Sequence, residues 1–329
     1  MAALAFFLPL SLLCLFLIPR SLSSTPYLTL NHYHKSCPRF EQIMQDTVIN
    51  KQITSPTTAA AVLRLYFHDC FVQGCDASVL VSSTPFNKAE RDADVNLSLP
   101  ADGFDLVVRA KTALELACPG VVSCADILAV AARNLVVMVG GPYYNVRLGR
   151  RDGLVSKASI VEGKLPKAAM SVDQIIKLFA SNGFTVQETV ALCGAHTIGF
   201  SHCKEFASNI YNFSKTLPFD PSYNPRYAEG LQRACQNYKA NPTLSVFNDL
   251  MTPNKFDNVY FQNLPRGLGL LSSDRELNSD PRTRPYVETY AANQTAFFEA
   301  FGRAMEKLSV VGVKTGGRGE IRRRCDAFN

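Results

Sequence analysis

The chain has 329 residues, with 34 Lys+Arg against 28 Asp+Glu, and is 47% hydrophobic and 19% charged. That supply of apolar side chains excludes a disordered, collagen-like or disulfide-only chain and suffices for a large globular core. A net charge of +6, with no polybasic block except Arg322-Arg323-Arg324, gives no case for nucleic-acid binding; an acidic wall polysaccharide is a milder partner for it.

In chain order, the first nineteen residues carry no charged side chain and are rich in Leu, Phe and Ile. Pro9 and Pro19 disfavour a continuous spanning helix, and Ser21-Leu22-Ser23-Ser24-Thr25 offers a cleavage region. Residues 1–24 therefore read as a secretory signal, cut between Ser23 and Pro26, and residues 25–329 as the mature domain. An uncleaved membrane anchor is the rival reading, because the apolar run approaches spanning length. Beyond Cys14 the cysteines are Cys37, Cys70, Cys75, Cys118, Cys124, Cys193, Cys203, Cys235 and Cys325. An exported chain pairs most of its cysteines, and an odd number leaves one thiol over. Asn96, Asn212 and Asn293 open N-glycosylation triplets, whereas Pro242 excludes Asn241.

No repeat or Gly/Ser linker divides the rest. Ser171-Val172-Asp173-Gln174 has the form of a capping box, with Ile175, Ile176 and Phe179 at helical spacing and Asn182-Gly183 as a stop, which predicts a helix. Similar periodicity predicts helices over 105–116, 124–139, 186–192, 260–264 and 285–308, while alternating strands are scarce. The fold class is mainly α.

The segment 57–71 opens with Thr residues able to cap and runs through alanines into Arg64, Phe67 and His68. On a helix these three share one face, so a cation, an aromatic wall and a titratable imidazole converge. Asp69, Val72, Gly74, Asp76 and Ser78 follow, bringing two carboxylates, a hydroxyl and backbone carbonyls into a loop beside Cys70 and Cys75. Hard oxygen donors in a tight loop suit Ca²⁺, although the spacing is not that of an EF-hand.

The run Arg64-Leu-Tyr-Phe-His68-Asp-Cys-Phe-Val-Gln-Gly-Cys-Asp-Ala-Ser resembles the distal signature of secretory plant haem peroxidases, the class III family. Val190-Ala-Leu-Cys-Gly-Ala-His196-Thr-Ile-Gly resembles the proximal haem-ligand signature of the same family, and lesser matches run from Cys37-Pro38 to Cys325. The resemblance implies a mainly α haem-peroxidase fold with one haem b between distal and proximal helices. His196 would be the axial iron ligand, with Asp274 accepting from its other ring nitrogen. His68 would move a proton between the oxygens of H₂O₂ and Arg64 would stabilise the developing charge, giving water and an oxoferryl haem that phenolic donors reduce in two one-electron steps. Asn96 would orient His68, and Glu90 would help to fix the Asn96 loop, in which case the Asn96 triplet carries no glycan.

The same resemblance implies two Ca²⁺ ions, one on Asp69, Val72, Gly74, Asp76 and Ser78 and a second on Thr197, Asp249, Thr252, the Lys255 carbonyl and Asp257. It places Pro166 beside the entrance for aromatic donors, and pairs Cys37 with Cys118, Cys70 with Cys75, Cys124 with Cys325 and Cys203 with Cys235. Cys193 is then the thiol left over, read as buried and inert, with a redox-sensitive thiol as the alternative. The expected protein is a monomeric, H₂O₂-dependent peroxidase of the extracellular wall space. Two departures bear on the haem: Asn248 stands where some members have Phe, and the Trp that many members carry near Tyr144 is absent. His32, His34 and His202 have no assigned role. The rival functions are a wall-polysaccharide-binding glycoprotein with little turnover and a zinc hydrolase, for which no ligand triad is evident.

Overall fold

The structure is a computed structural model that describes residues 28–329; the segment 1–24 expected to be a secretory signal, with its expected cleavage region, lies outside the described residues. Twelve α-helices among the described residues and one two-stranded sheet make the molecule mainly α. They are α1 (Phe40–Thr54), α2 (Thr58–Val72), α3 (Ala101–Ala117), α4 (Cys124–Met138), α5 (Val172–Ser181), α6 (Val186–Cys193), α7 (Ala207–Ile210), α8 (Pro225–Cys235), α9 (Val259–Asn263), α10 (Ser272–Ser279), α11 (Arg284–Ala292) and α12 (Gln294–Leu308). Strands β1 (Phe200–His202) and β2 (Ser245–Phe247) pair antiparallel, with Ser201 opposite Val246.

The helices fall into two groups. In the first, α2 packs on α3 and α4 while α1 crosses both. The sequence of α4 explains its central place: residues from Ile127 to Ala132, then Leu135 and Val136, are buried all round the helix, which suits a helix enclosed by neighbours and not an amphipathic surface one. Ser123 caps it by accepting from the Asp126 N–H at 3.2 Å. Gly103 lets α3 approach α2 closely, since a Cβ there would stand 3.2 Å from the Ala61 carbonyl oxygen. Asp102 ties three helix ends together, accepting from Lys51, Ser55 and Thr57 at 2.7–2.8 Å. Thr57, which the sequence offers as a cap for α2, is drawn into this cluster and makes no side-chain cap.

In the second group α6 packs on α12, α11 on α9 and α12, and α5 bridges α6 and α10. The capping box of Ser171 and Gln174 is present at the start of α5, with Asn182 and a left-handed Gly183 beyond its end. The stretch 285–308, continuous by its apolar period, is two helices. Asn293 takes an extended conformation between them, and its side chain accepts from the Ala296 N–H to cap α12. Apolar period alone does not register a one-residue break whose second helix resumes in phase.

A single apolar core runs through both groups, and a smaller one lies around α7, α8 and Leu270-Leu271. The four disulfides are Cys37–Cys118, Cys70–Cys75, Cys124–Cys325 and Cys203–Cys235, and Cys193 is the free thiol among the described residues. The Cys124–Cys325 bond spans 201 residues and fastens the C-terminal segment to the start of α4. No helix among the described residues is long and apolar enough to cross a membrane.

Candidate active site

The distal side is built on α2. Phe67 stacks on Phe71 at 4.2 Å and faces Phe179 of α5 at 5.8 Å, so the aromatic wall expected on this face also joins the two helix groups. His68 is 5% exposed, and its Nδ1 lies 2.6 Å from Asn96 Oδ1. Asn96 is oriented by its own Nδ2, which donates to the Glu90 carbonyl at 2.7 Å. Its oxygen therefore faces His68 and can only accept, so Nδ1 carries the imidazole proton and Nε2 presents a lone pair. Burial first, and then the positive charge of Arg64, push the His68 pKa down to about 3 against the opposing pull of Asn96. The imidazole is thus a neutral base at neutral pH.

Arg64 donates to the Ser98 carbonyl and to the Ser98 hydroxyl, each at 2.8 Å, and among the described residues it has no carboxylate partner. A guanidinium held by neutral groups keeps its charge for whatever enters beside it. Ser98 was not foreseen in this role. It is the third residue of the Asn96 triplet, and Asn96 itself is 2% exposed, so both ends of that triplet serve the site.

The proximal side centres on a tight turn at the end of α6. Gly194 permits the approach: a Cβ there would sit 2.5 Å from the Phe297 ring and 2.8 Å from that of Phe261. His196 Nδ1 is 2.8 Å from Asp274 Oδ1, and the same oxygen accepts from the Tyr260 hydroxyl at 2.8 Å. Asp274 Oδ2 accepts from the Leu271 N–H at 3.1 Å. Burial opposes charge on His196, yet the Asp274 carboxylate outweighs it and raises the imidazole pKa, while His196 in turn holds Asp274 below the usual carboxylate range despite burial. Tyr260 had no signal in the sequence, since its partner lies fourteen residues away on another helix. The positive charge of Arg64 disfavours protonation of both imidazoles. The His196 side chain is 38% exposed while its partner Asp274 is 1% exposed, so the ring offers Nε2 and keeps Nδ1 enclosed. A half-buried imidazole with one free nitrogen, in a molecule that also holds a neutral base and an unpaired cation on its distal side, fits a haem-iron ligand and a peroxide-handling pair.

Asp69, Asp76, Ser78 and Glu90 also lie in one hydrogen-bonded loop. Asp69 accepts from the N–H groups of Ala77 at 2.9 Å and Val79 at 3.4 Å, and Asp76 Oδ1 from that of Ser78 at 3.1 Å. Ala77, at φ +59°, makes the turn that aims these groups. Val72 closes α2 and Gly74 follows in the loop at φ +101°. The Glu90 carboxylate lies against this loop, with Oε2 taking the Ser78 hydroxyl at 3.1 Å and Oε1 buried without a partner. Burial and then Asp76 push its pKa up to about 8, and Asp69 is raised by burial and by the same neighbour. Three carboxyls are thus buried together, Glu90 with an orphaned oxygen and Asp76 paired with the Lys314 ammonium, a hard oxygen set of the kind that suits Ca²⁺.

On the proximal side Thr197 Oγ1 lies 3.3 Å from the Lys255 carbonyl and accepts from the Asp257 N–H. Thr252 Oγ1 reaches Asp249 Oδ2 at 3.3 Å and Asp257 Oδ1 at 3.1 Å. Thr197, Asp249 and Asp257 are buried, and burial raises the Asp249 carboxyl. Among the described residues no three His, Cys, Asp or Glu side chains are grouped to hold a metal ion by themselves, so a calcium ion would need hydroxyl and carbonyl oxygens as well, and Cys203, paired with Cys235, is not open to a metal on His202.

Pro166 is half-buried in a loop that Ser272, at the start of α10, holds through the Ala168 carbonyl at 3.1 Å. Asn248 packs no ring on His196; its Oδ1 accepts from the Ser201 hydroxyl at 2.7 Å and its N–H bonds the Gly199 carbonyl. Tyr144 is buried, with its hydroxyl lacking a partner. Cys193 is half-buried where the sequence predicts it buried, and burial of the thiol, then Asp274, push it up to about 12, so at neutral pH it is protonated.

A sequence model described as Peroxidase matches residues 44–293. Similar proteins of Arabidopsis thaliana include Peroxidase 63, 62% identical over 97% of this chain and 96% of its own length, and Peroxidase 31, 63% identical over 92% and 94%. Peroxidase 41 of the same plant is 60% identical over 92% of each chain. The chain belongs to the peroxidase family, in its class III plant branch.

Proposed function

We propose that the protein reduces H₂O₂ at the pocket of His68 and Arg64 and oxidises small phenolic donors in one-electron steps. The single observation that carries the mechanism is the Asn96 amide, whose Nδ2 donates to the Glu90 carbonyl while its Oδ1 stands 2.6 Å from His68 Nδ1; an acceptor there assigns the proton to Nδ1 and leaves Nε2 as a base. Haem, which His196 would hold, would supply the redox chemistry, accepting both oxidising equivalents of the peroxide so that donors could be oxidised one electron at a time. His68 Nε2 takes the proton from one peroxide oxygen and returns it to the other, which departs as water. Arg64, held by Ser98 and free of any carboxylate partner, stabilises the negative charge that builds on the departing oxygen. Asp274 keeps a proton-accepting charge on the far side of His196, and Tyr260 shares that carboxylate.

Two calcium ions complete this reading. The first would be held by Asp69, Asp76, Ser78 and the carbonyls of Val72 and Gly74, the second by Thr197, Asp249, Thr252, Asp257 and the carbonyl of Lys255. Asp69 and Thr197 each adjoin one of the two functional histidines, so each ion steadies one side of the site. Export into the wall space, directed by residues 1–24, accords with four disulfides in a chain of this size.

The test is the visible spectrum of the calcium-loaded, haem-reconstituted mature protein. One equivalent of H₂O₂ is expected to change the ferric haem spectrum at once, and a phenol to restore it in two one-electron steps. Haem that fails to bind, or a spectrum inert to peroxide, would overturn the assignment.

A further inference from the structure

The distal loop is closed from outside by the C-terminal segment. The Cys75 N–H bonds the Val311 carbonyl at 3.1 Å, and Gly74 and Gly312 meet backbone to backbone, with no room for a Cβ on either. Arg151 and Lys314 pair across an isolated bridge, through the Arg151 N–H and the Lys314 carbonyl at 2.8 Å. Gly153, two residues on, donates its N–H to the Asp76 carbonyl at 2.8 Å. This arrangement carries the Lys314 side chain onto the loop, where its ammonium is paired with Asp76 Oδ2. Asp76 is 1% exposed at the side chain and Lys314 27%, so the pair is largely withdrawn from water.

Charge explains why a lysine there matters. Asp69, Asp76 and Glu90 are three buried carboxyls, and the cations within reach are Lys314 and Arg322. Arg322 is committed to the carbonyls of Ala77, Gly153 and Cys325, which leaves Lys314 as the charge aimed at a candidate calcium ligand. The proximal set also has a lysine, but Lys255 stands 3.5 Å from Asp257 and is 66% exposed, a solvated ammonium of little weight.

We propose that Lys314 is a built-in cation of the distal loop: it holds Asp76 when calcium is absent and must yield that carboxylate when calcium binds. The inference rests on the reading of this loop as a calcium site. The distal loop then binds calcium more weakly than the proximal set, and keeps more of its shape when calcium leaves, because one carboxylate never loses a positive partner. An ammonium and a divalent ion competing for one oxygen are coupled reciprocally, so removing the first must tighten the second.

The experiment uses the haem-loaded mature protein, stripped with EGTA and titrated with Ca²⁺ by calorimetry, comparing wild type with Lys314→Met and Lys255→Met. Wild type should bind two ions in a tight and a weak class. Lys314→Met should tighten the weak class by about tenfold or more and lower the melting temperature in EGTA, while Lys314→Arg should keep the wild-type affinity. Lys255→Met should leave both classes within about twofold. Should Lys314→Met not fold, Lys314→Gln carries the same expectation. A weak class unchanged in the neutral variants would overturn the proposal while leaving the calcium reading intact. Fewer than two ions bound in wild type and variants alike would remove the loop as a calcium site and the proposal with it, an outcome separated from the first by stoichiometry.

Discussion

His68, which is buried, and His196, which is half-buried, both hold Nδ1 against a side-chain oxygen, at 2.6 and 2.8 Å. They differ in the charge of that oxygen. The Asn96 amide is neutral, so burial and Arg64 decide the matter and His68 is driven down to about 3. The Asp274 carboxylate is charged, so it overcomes burial and the imidazole of His196 is raised. One atom of difference in the acceptor separates a proton carrier that must stay neutral from a ligand that must be rich in electrons.

The comparison can be broken on either side, and the largest effect belongs to the distal base. His68→Ala should slow the reaction of the haem-loaded protein with H₂O₂ by about 10²–10⁴-fold while leaving haem binding in place, which stopped-flow mixing measures. Asp274→Asn makes the proximal acceptor neutral like the distal one. It should weaken haem retention by about 10–100-fold and move the ferric/ferrous midpoint potential positive, as an apohaem-transfer assay and a redox titration would record. Asn96→Asp is the converse exchange. A carboxylate against Nδ1 should raise the His68 pKa by about 1–3 units and carry the acid limb of the peroxide rate profile upward by the same amount. Tyr260→Phe is the mildest change: loss of a neutral donor leaves Asp274 more basic, so the potential should shift negative, opposite to Asp274→Asn and by less.

How much of this was legible in the sequence follows from distance along the chain. Arg64, Phe67 and His68 share a face by helical spacing, and the capping box at Ser171 is local, so both could be read from residues alone. The pairings of His68 with Asn96 and His196 with Asp274 cross 28 and 78 residues and came only through the family resemblance, as did the four disulfides. Tyr260, Ser98 and Lys314 were missed because each acts through a partner brought near by tertiary packing, 238 residues away for Lys314 and Asp76. Local signals also misled where tertiary contacts outbid them. Thr57 could cap α2 but bonds Asp102, and the period over 285–308 ran across the extended break at Asn293.

The most direct test of the neutral distal base is the second-order rate constant for H₂O₂ with the wild-type haem-loaded protein, followed from pH 3 to pH 8. A group whose folded pKa is depressed to about 3 stays deprotonated above it, so the rate should be level through the neutral range and decline only as pH falls towards about 3. A decline centred near about 6.5, the value of an unperturbed imidazole, would contradict the account.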